Sequence, residues 1–148
     1  MVVFIVSCRK EQSTNYLANL KNNSTHNIVI RPFANGQVVT NNIITLAQMT
    51  NIQIANGSDR GLNGNSGFSS KYFENVDSMR VTFDNMYTIT HYGKTPVSFN
   101  NKYYLYTSTR NILNYLSYKF DSKILAKTQW ENTYNLEFIE QDYLDAKP

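Results

Sequence analysis

A chain of 148 residues with 41% hydrophobic and 17% charged side chains is one domain's worth of protein with enough apolar material for a single core. The net charge of +3 comes from fourteen scattered basic residues, of which only Arg9 and Lys10 are adjacent, so the basic stripe that phosphate backbones require is missing and nucleic acid is not an expected partner. One cysteine closes no internal disulfide, and no Cys/His cluster is spaced to hold zinc, so neither a metal nor a cofactor is expected.

Asn is the commonest residue, and eleven Tyr and eight Phe accompany a single Trp. Thr, Tyr, Ile and Val recur in short runs divided by Asn, Gly and Ser, while good helix formers never accumulate over a long window. The pattern predicts strands.

At the N-terminus, Val2-Val-Phe-Ile-Val-Ser-Cys8 is an apolar run ending in a small residue and the lone cysteine. Ile5-Val6-Ser7-Cys8 resembles the lipobox of bacterial lipoproteins: an aliphatic residue, a β-branched one, a small one, then Cys. That resemblance implies cleavage between Ser7 and Cys8 and acylation of the Cys8 thiol, with the membrane as a partner through that anchor. Lys10-Glu11 is similar to the charged signal that directs lipoproteins of the Bacteroidota to the outer membrane, without deciding the leaflet. The competing reading of the same run is a first buried strand. Arg9 to Thr14 is wholly polar and the run to Ser24 is sparsely apolar, so residues 8–24 read as a tether between a truncated signal at 1–7 and a domain at 25–148.

Ile28 to Phe33 then reads as the first strand, ended or placed at an edge by Pro32. Asn35-Gly36 is a hairpin turn with Gln37 to Thr40 as its return, and Asn51 to Ala55 alternates with Ile52 and Ile54 on one face. Asn56 to Ser70 holds four of the six glycines and reads as a long loop. Asn56, Asp59, Arg60, Asn63 and Asn65 make it a candidate binding loop. A phosphate-binding role fails because no Gly-Lys-Ser/Thr closes it, and a Ca²⁺ role fails on its single carboxylate, Asp59.

Asp77 to Tyr92 carries the clearest local signal, two β-rich runs around a two-residue Asp84-Asn85 turn. Met79, Val81 and Phe83 share one face, and Arg80 and Thr82 the other. Tyr87, Ile89 and His91 oppose Thr88, Thr90 and Tyr92, a strand covered on both sides. Lys102 to Thr107 reads as an aromatic strand, Arg110 to Tyr118 as a helical turn entering a strand, and Tyr134, Leu136 and Phe138 as a last strand before a polar tail. Eight or so short strands predict a single-domain, all-β, antiparallel β-sandwich, with a small β-barrel as the alternative.

Three blocks, Ile54 to Gly61, Phe83 to Tyr92 and Glu131 to Tyr143, are similar to those of small uncharacterised lipoproteins of the Bacteroidota. The resemblance implies an envelope location and carries no activity.

Catalytic signals are weak. Gly57-Ser-Asp-Arg-Gly61 has Asp59 where a hydrolase elbow needs serine, and any set built from Ser58 or Ser66 with His91 rests on geometry alone. Glu131, Glu137, Glu140 and Asp142 gather near the C-terminus, where a solvated face is the expected arrangement. Tyr103, Tyr104, Tyr106 and Trp130, with Tyr115 and Tyr118, form a candidate aromatic surface of the kind that stacks on sugar rings. The expected function is therefore a non-catalytic envelope lipoprotein that binds or assists an envelope protein complex. The alternatives are a carbohydrate-binding module, with a glycan as partner, and a hydrolase with unrecognised carboxylates.

Overall fold

A computed structural model describes residues 11–60, 67–99 and 102–148. Two mixed sheets pack face to face, and neither closes into a barrel. The all-β sandwich expected from the strand pattern is the fold.

The first sheet has the order β5-β1-β10-β9, from β1 (Ser13–Asn22), β5 (Asn51–Arg60), β9 (Lys119–Ala126) and β10 (Gln129–Phe138). The second runs β3-β2-β6-β7-β8, from β2 (Ile28–Ala34), β3 (Gln37–Val38), β6 (Ser78–Phe83), β7 (Tyr87–Tyr92) and β8 (Tyr103–Tyr104), with β4 (Ile44–Leu46) pairing β2 beside β3. Helix α1 (Glu140–Ala146) follows β10. The sheets are not purely antiparallel. β1 and β10 run parallel with Leu20 opposite Leu136, and β7 and β8 run parallel with His91 opposite Tyr104.

The tether expected over 8–24 is corrected from Ser13 onward. Residues 13–22 form β1, an interior strand bonded to β5 on one side and β10 on the other. Thr14, Ala18, Leu20 and Asn22 are its buried positions, so the alternation exists but two of its four inward residues are polar. That is why the segment looks like a linker to a hydrophobicity count. Residues 1–10, with the expected lipobox and Cys8, lie outside the described residues.

Pro32 stands inside β2 rather than at its end. In an antiparallel ladder the N–H and C=O of one residue point the same way. The Pro32 carbonyl accepts from Val39 N at 2.9 Å, so its missing N–H faces the gap between β3 and β4, where no ladder partner is needed.

Both expected hairpin turns form. Asn35 and Gly36 take φ of 49° and 78°, and Asp84 and Asn85 take 49° and 57°, the left-handed values that match strand twist. The β6–β7 connection is three residues rather than two, because Phe83 pairs with Tyr87 and leaves Met86 in the turn.

The core lies between the sheets, with Leu20, Ile28, Ile30, Met79, Val81, Phe83, Leu136 and Phe138 at 0–2% exposure. A bulge in β5 lets Ile54 and Ala55 both face inward: Ala18 pairs with Ala55 but Asn19 with Gln53. Ile89 to Tyr92 are all buried, so β7 is covered on both faces as the sequence implied. Two further expectations are corrected. Lys102 to Thr107 contributes only the two-residue β8, and the polar tail is α1, whose Tyr143 and Ala146 pack inward.

Candidate functional site

The residues singled out by sequence do not assemble into one site. Asn56, Asp59 and Arg60 are not loop residues but the exposed end of edge strand β5, and Asn63 and Asn65 lie outside the described residues. Among the described residues, Arg60 approaches Glu11, at 4.0 Å, with both side chains in solvent.

The candidate aromatic residues are divided between the sheets, the tyrosines at β8 and Trp130 on β10. Tyr103 is exposed and stacks on Phe99 at 4.5 Å, whereas Tyr104 is half-buried and its hydroxyl donates to Asp145 Oδ2 at 2.6 Å. Burial and that bond push the Tyr104 hydroxyl well above its usual range. Tyr106 is exposed in the loop beyond β8, while Trp130 belongs to β10 of the other sheet. Tyr118 is core, its hydroxyl donating to the Ile112 carbonyl at 2.9 Å. No single stacking platform is formed by these residues.

The C-terminal carboxylates separate onto different partners. Glu137 points outward near Lys21, 3.8 Å away, and Glu140 meets His26. Asp142 is not on a solvated face: it is buried at 2% exposure and takes a two-pronged bond from Arg110, whose Nη2 also donates to the Glu137 carbonyl at 2.7 Å. Asp142 in turn accepts from Ile139 N at 2.8 Å, which seats the first turn of α1.

His91 is a core residue. Its Nδ1 accepts from Ile112 N at 3.0 Å, and burial together with the nearby Arg110 charge lowers its pKa to about 3. Ser58 is exposed on β5, so the pair does not meet as nucleophile and base. His26 lies elsewhere, stacked on Tyr143 at 3.4 Å between Asp84 and Glu140. Among the described residues, no group of three His, Cys, Asp or Glu side chains is arranged to hold a metal ion.

What the fold does assemble is a basic groove on the outer face of the second sheet. Antiparallel registry sets Arg31 of β2 opposite Arg80 of β6, and Arg80 opposite Thr90 of β7. One step along, Thr82 faces Thr88, with their hydroxyls 2.9 Å apart. These residues, with Lys102, Phe33, Met86, Tyr87, Ala146 and Pro148, line a cavity of about 580 Å³. No Asp or Glu is among them.

Like charges placed directly across a ladder repel, costing up to about 1 kcal/mol. Arg80 is held regardless by the Phe33 ring, whose centroid is 4.3 Å from its guanidinium carbon. Among the described residues, Arg31, Arg80 and Lys102 form no ion pair with a carboxylate side chain, although the Lys102 charge helps lower the pKa of Asp145. The result is a concave wall with converging donors and, among the described residues, no acidic side chain in its lining, suited to an oxyanion.

The sequence does show that Arg80 and Thr82 share a face of β6. It does not show that Arg31, nearly fifty positions earlier, is their neighbour. No family model, curated protein or solved structure matches the chain.

Proposed function

We propose that this protein is a non-catalytic binding module of the cell envelope, and that it recognises an anionic group of an envelope component through the groove at Arg31, Arg80 and Lys102. The observation that carries the binding role is the convergence of three cations on a groove in which, among the described residues, no Asp or Glu side chain takes part. The envelope location rests on Ile5-Val6-Ser7-Cys8 and its resemblance to a lipobox.

The binding role is tested by amide-resolved NMR titration with inorganic phosphate. Shifts should cluster at Arg31, Arg80 and Lys102 and disappear in the double variant Arg31→Ala, Arg80→Ala. Scattered shifts, or shifts that persist in that variant, would remove the groove from the proposal. The anchor is tested by intact mass of the protein from membrane fractions. A chain beginning at Cys8 with added acyl mass, lost in Cys8→Ala, is the expected result; an unmodified chain beginning at Met1 or Val2 would end the lipoprotein reading.

A further inference from the structure

We infer that the ligand of this groove is an acidic sugar, a pyranose carrying a carboxylate or phosphate, rather than a free anion or an acidic peptide. The inference rests on the binding role proposed above and concerns what the groove accepts beyond the charge.

Size is the first argument. The groove crosses three strands, which at about 4.8 Å spacing gives a floor about 10 Å wide. A volume of about 580 Å³ is that of a small-molecule site and far exceeds one phosphate or carboxylate. The charged group therefore fills only part of it. Arg31 and Arg80 sit side by side in one register row, so one oxyanion can take a fork from each.

The rest of the floor gives the second argument. The next row holds the Thr82 and Thr88 hydroxyls, bonded to one another, and each oxygen keeps lone-pair capacity beyond that bond. Short hydroxyls on a rigid sheet are donors and acceptors alike, as polyol recognition requires. Tyr87 and Met86 add an apolar border at the turn end of the groove, against which the C–H face of a sugar ring can rest.

A peptide fits this floor poorly. Extended peptides gain most of their affinity by pairing with free strand edges. Here β6 is bonded along both sides, to β2 and β7, β2 pairs with β6 on one side and with β3 and β4 on the other, and β7 pairs with β6 throughout and with β8 at Thr90 and His91. The edge left beside Tyr87 to Ile89 is only three residues long, too short to pair an extended peptide along the groove. Side-chain hydroxyls and guanidinium groups are what the floor offers.

The test is calorimetric or NMR titration of the full domain with trigalacturonate, its neutral methyl ester, glucose 6-phosphate and inorganic phosphate. The expected result is binding of at least one acidic sugar about tenfold or more tighter than both phosphate and the neutral ester, a difference of about 1.4 kcal/mol. Preference for trigalacturonate assigns a carboxylate, and preference for glucose 6-phosphate a phosphate. Thr88→Val keeps the strand and its exposed position, and should weaken the acidic sugar about fivefold while leaving phosphate unchanged. Arg80→Ala should weaken both. Equal affinity for phosphate and the acidic sugars, or for the acidic sugar and its neutral ester, overturns the inference while the groove keeps its binding role. Binding of none of the four overturns both.

Discussion

His26 Nδ1 lies 2.5 Å from Asp84 Oδ2, which joins the segment between β1 and β2 to the turn between β6 and β7. The other face of the imidazole edge is closed by Glu140 Oε1 at 3.0 Å from Nε2, so the same ring also holds the start of α1. Asp84 completes the joint by accepting Asn27 N at 2.8 Å, while the Asn27 carbonyl accepts from Asp84 N at 2.9 Å. Three segments distant in sequence thus meet on one side chain.

That clamp predicts a pH dependence. Burial alone would lower the His26 pKa, but the bonds to Asp84 and Glu140 outweigh it and raise the pKa above 6.5. Its contribution is complete below 6.5, where folded and unfolded chains are both charged, and is lost as pH rises through the raised value. The His26 bonds hold the Asp84 and Glu140 carboxyls below their ordinary 3.8 and 4.5, so their share is complete above those values and is lost on acidification. Denaturant titrations of wild type should show stability declining above pH 6.5, and His26→Gln should flatten that decline. An unchanged alkaline limb in the variant would mean that the clamp contributes nothing.

His91 predicts the opposite limb. Its pKa is pulled down to about 3, so between there and 6.5 the unfolded chain binds a proton that the folded chain refuses. Stability should fall steadily as pH drops through that window, by the same linkage with the sign reversed. His91→Phe should remove this acid limb, while costing about 1–3 kcal/mol at neutral pH for the Ile112 N–H left without its acceptor. The check is the slope of stability against pH from 6.5 to 4 in the two proteins.

Arg110→Ala should be among the more damaging single substitutions. Asp142 is 3% exposed at its side chain and would keep a carboxylate facing no cation, while Arg110 itself is one-third exposed. Breaking a fully buried pair costs about 3–5 kcal/mol, and the partial exposure here brings the expectation to about 2–4 kcal/mol. Arg110→Ala, Asp142→Asn together should recover part of the loss, measurable in urea melts. A double variant less stable than Arg110→Ala would contradict an electrostatic origin.

Asn22→Ala tests a polar residue in the core. Asn22 is fully buried; its amide donates to the carbonyls of His26 at 2.7 Å and Ala47 at 3.0 Å, and its oxygen accepts from Ser24 N at 3.0 Å and Ser24 Oγ at 2.7 Å. Losing these leaves several buried groups unsatisfied, an expected cost of about 2–4 kcal/mol. Hydrogen exchange should show the loss concentrated at residues 22–28 and 46–50. Uniform destabilisation with no local opening would argue against a loop-organising role.

Gly57→Ala is a milder perturbation. Gly57 faces Tyr16 across the β1–β5 ladder, and a methyl group there would meet the Tyr16 ring and hydroxyl. The ring covers a glycine on the sheet and must swing aside, a shift expected to cost about 1 kcal/mol. Thermal melts of Gly57→Ala and of Gly57→Ala, Tyr16→Ala should differ in the sign of the added change if the clash is the cause.

What the sequence by itself determined is local. Asp84-Asn85 and Asn35-Gly36 force tight turns because few residues accept positive φ, and period-two alternation in Met79 to Phe83 and Tyr134 to Phe138 specifies strands with one inward face. From these the all-β sandwich was readable. The tertiary structure alone decided which polar residues count as core and which cations become neighbours. Thr14 and Asn22 occupy inward positions of β1, and Asn22 is tolerated there only because carbonyls of residues 26 and 47 come to it. Asp142 becomes an interior carboxylate only because Arg110 folds onto α1, and Arg31 meets Arg80 only through the β2–β6 register. Alternation is encoded within a few residues of chain, whereas burial of a polar group and convergence of charges depend on partners that chain folding brings from tens of residues away.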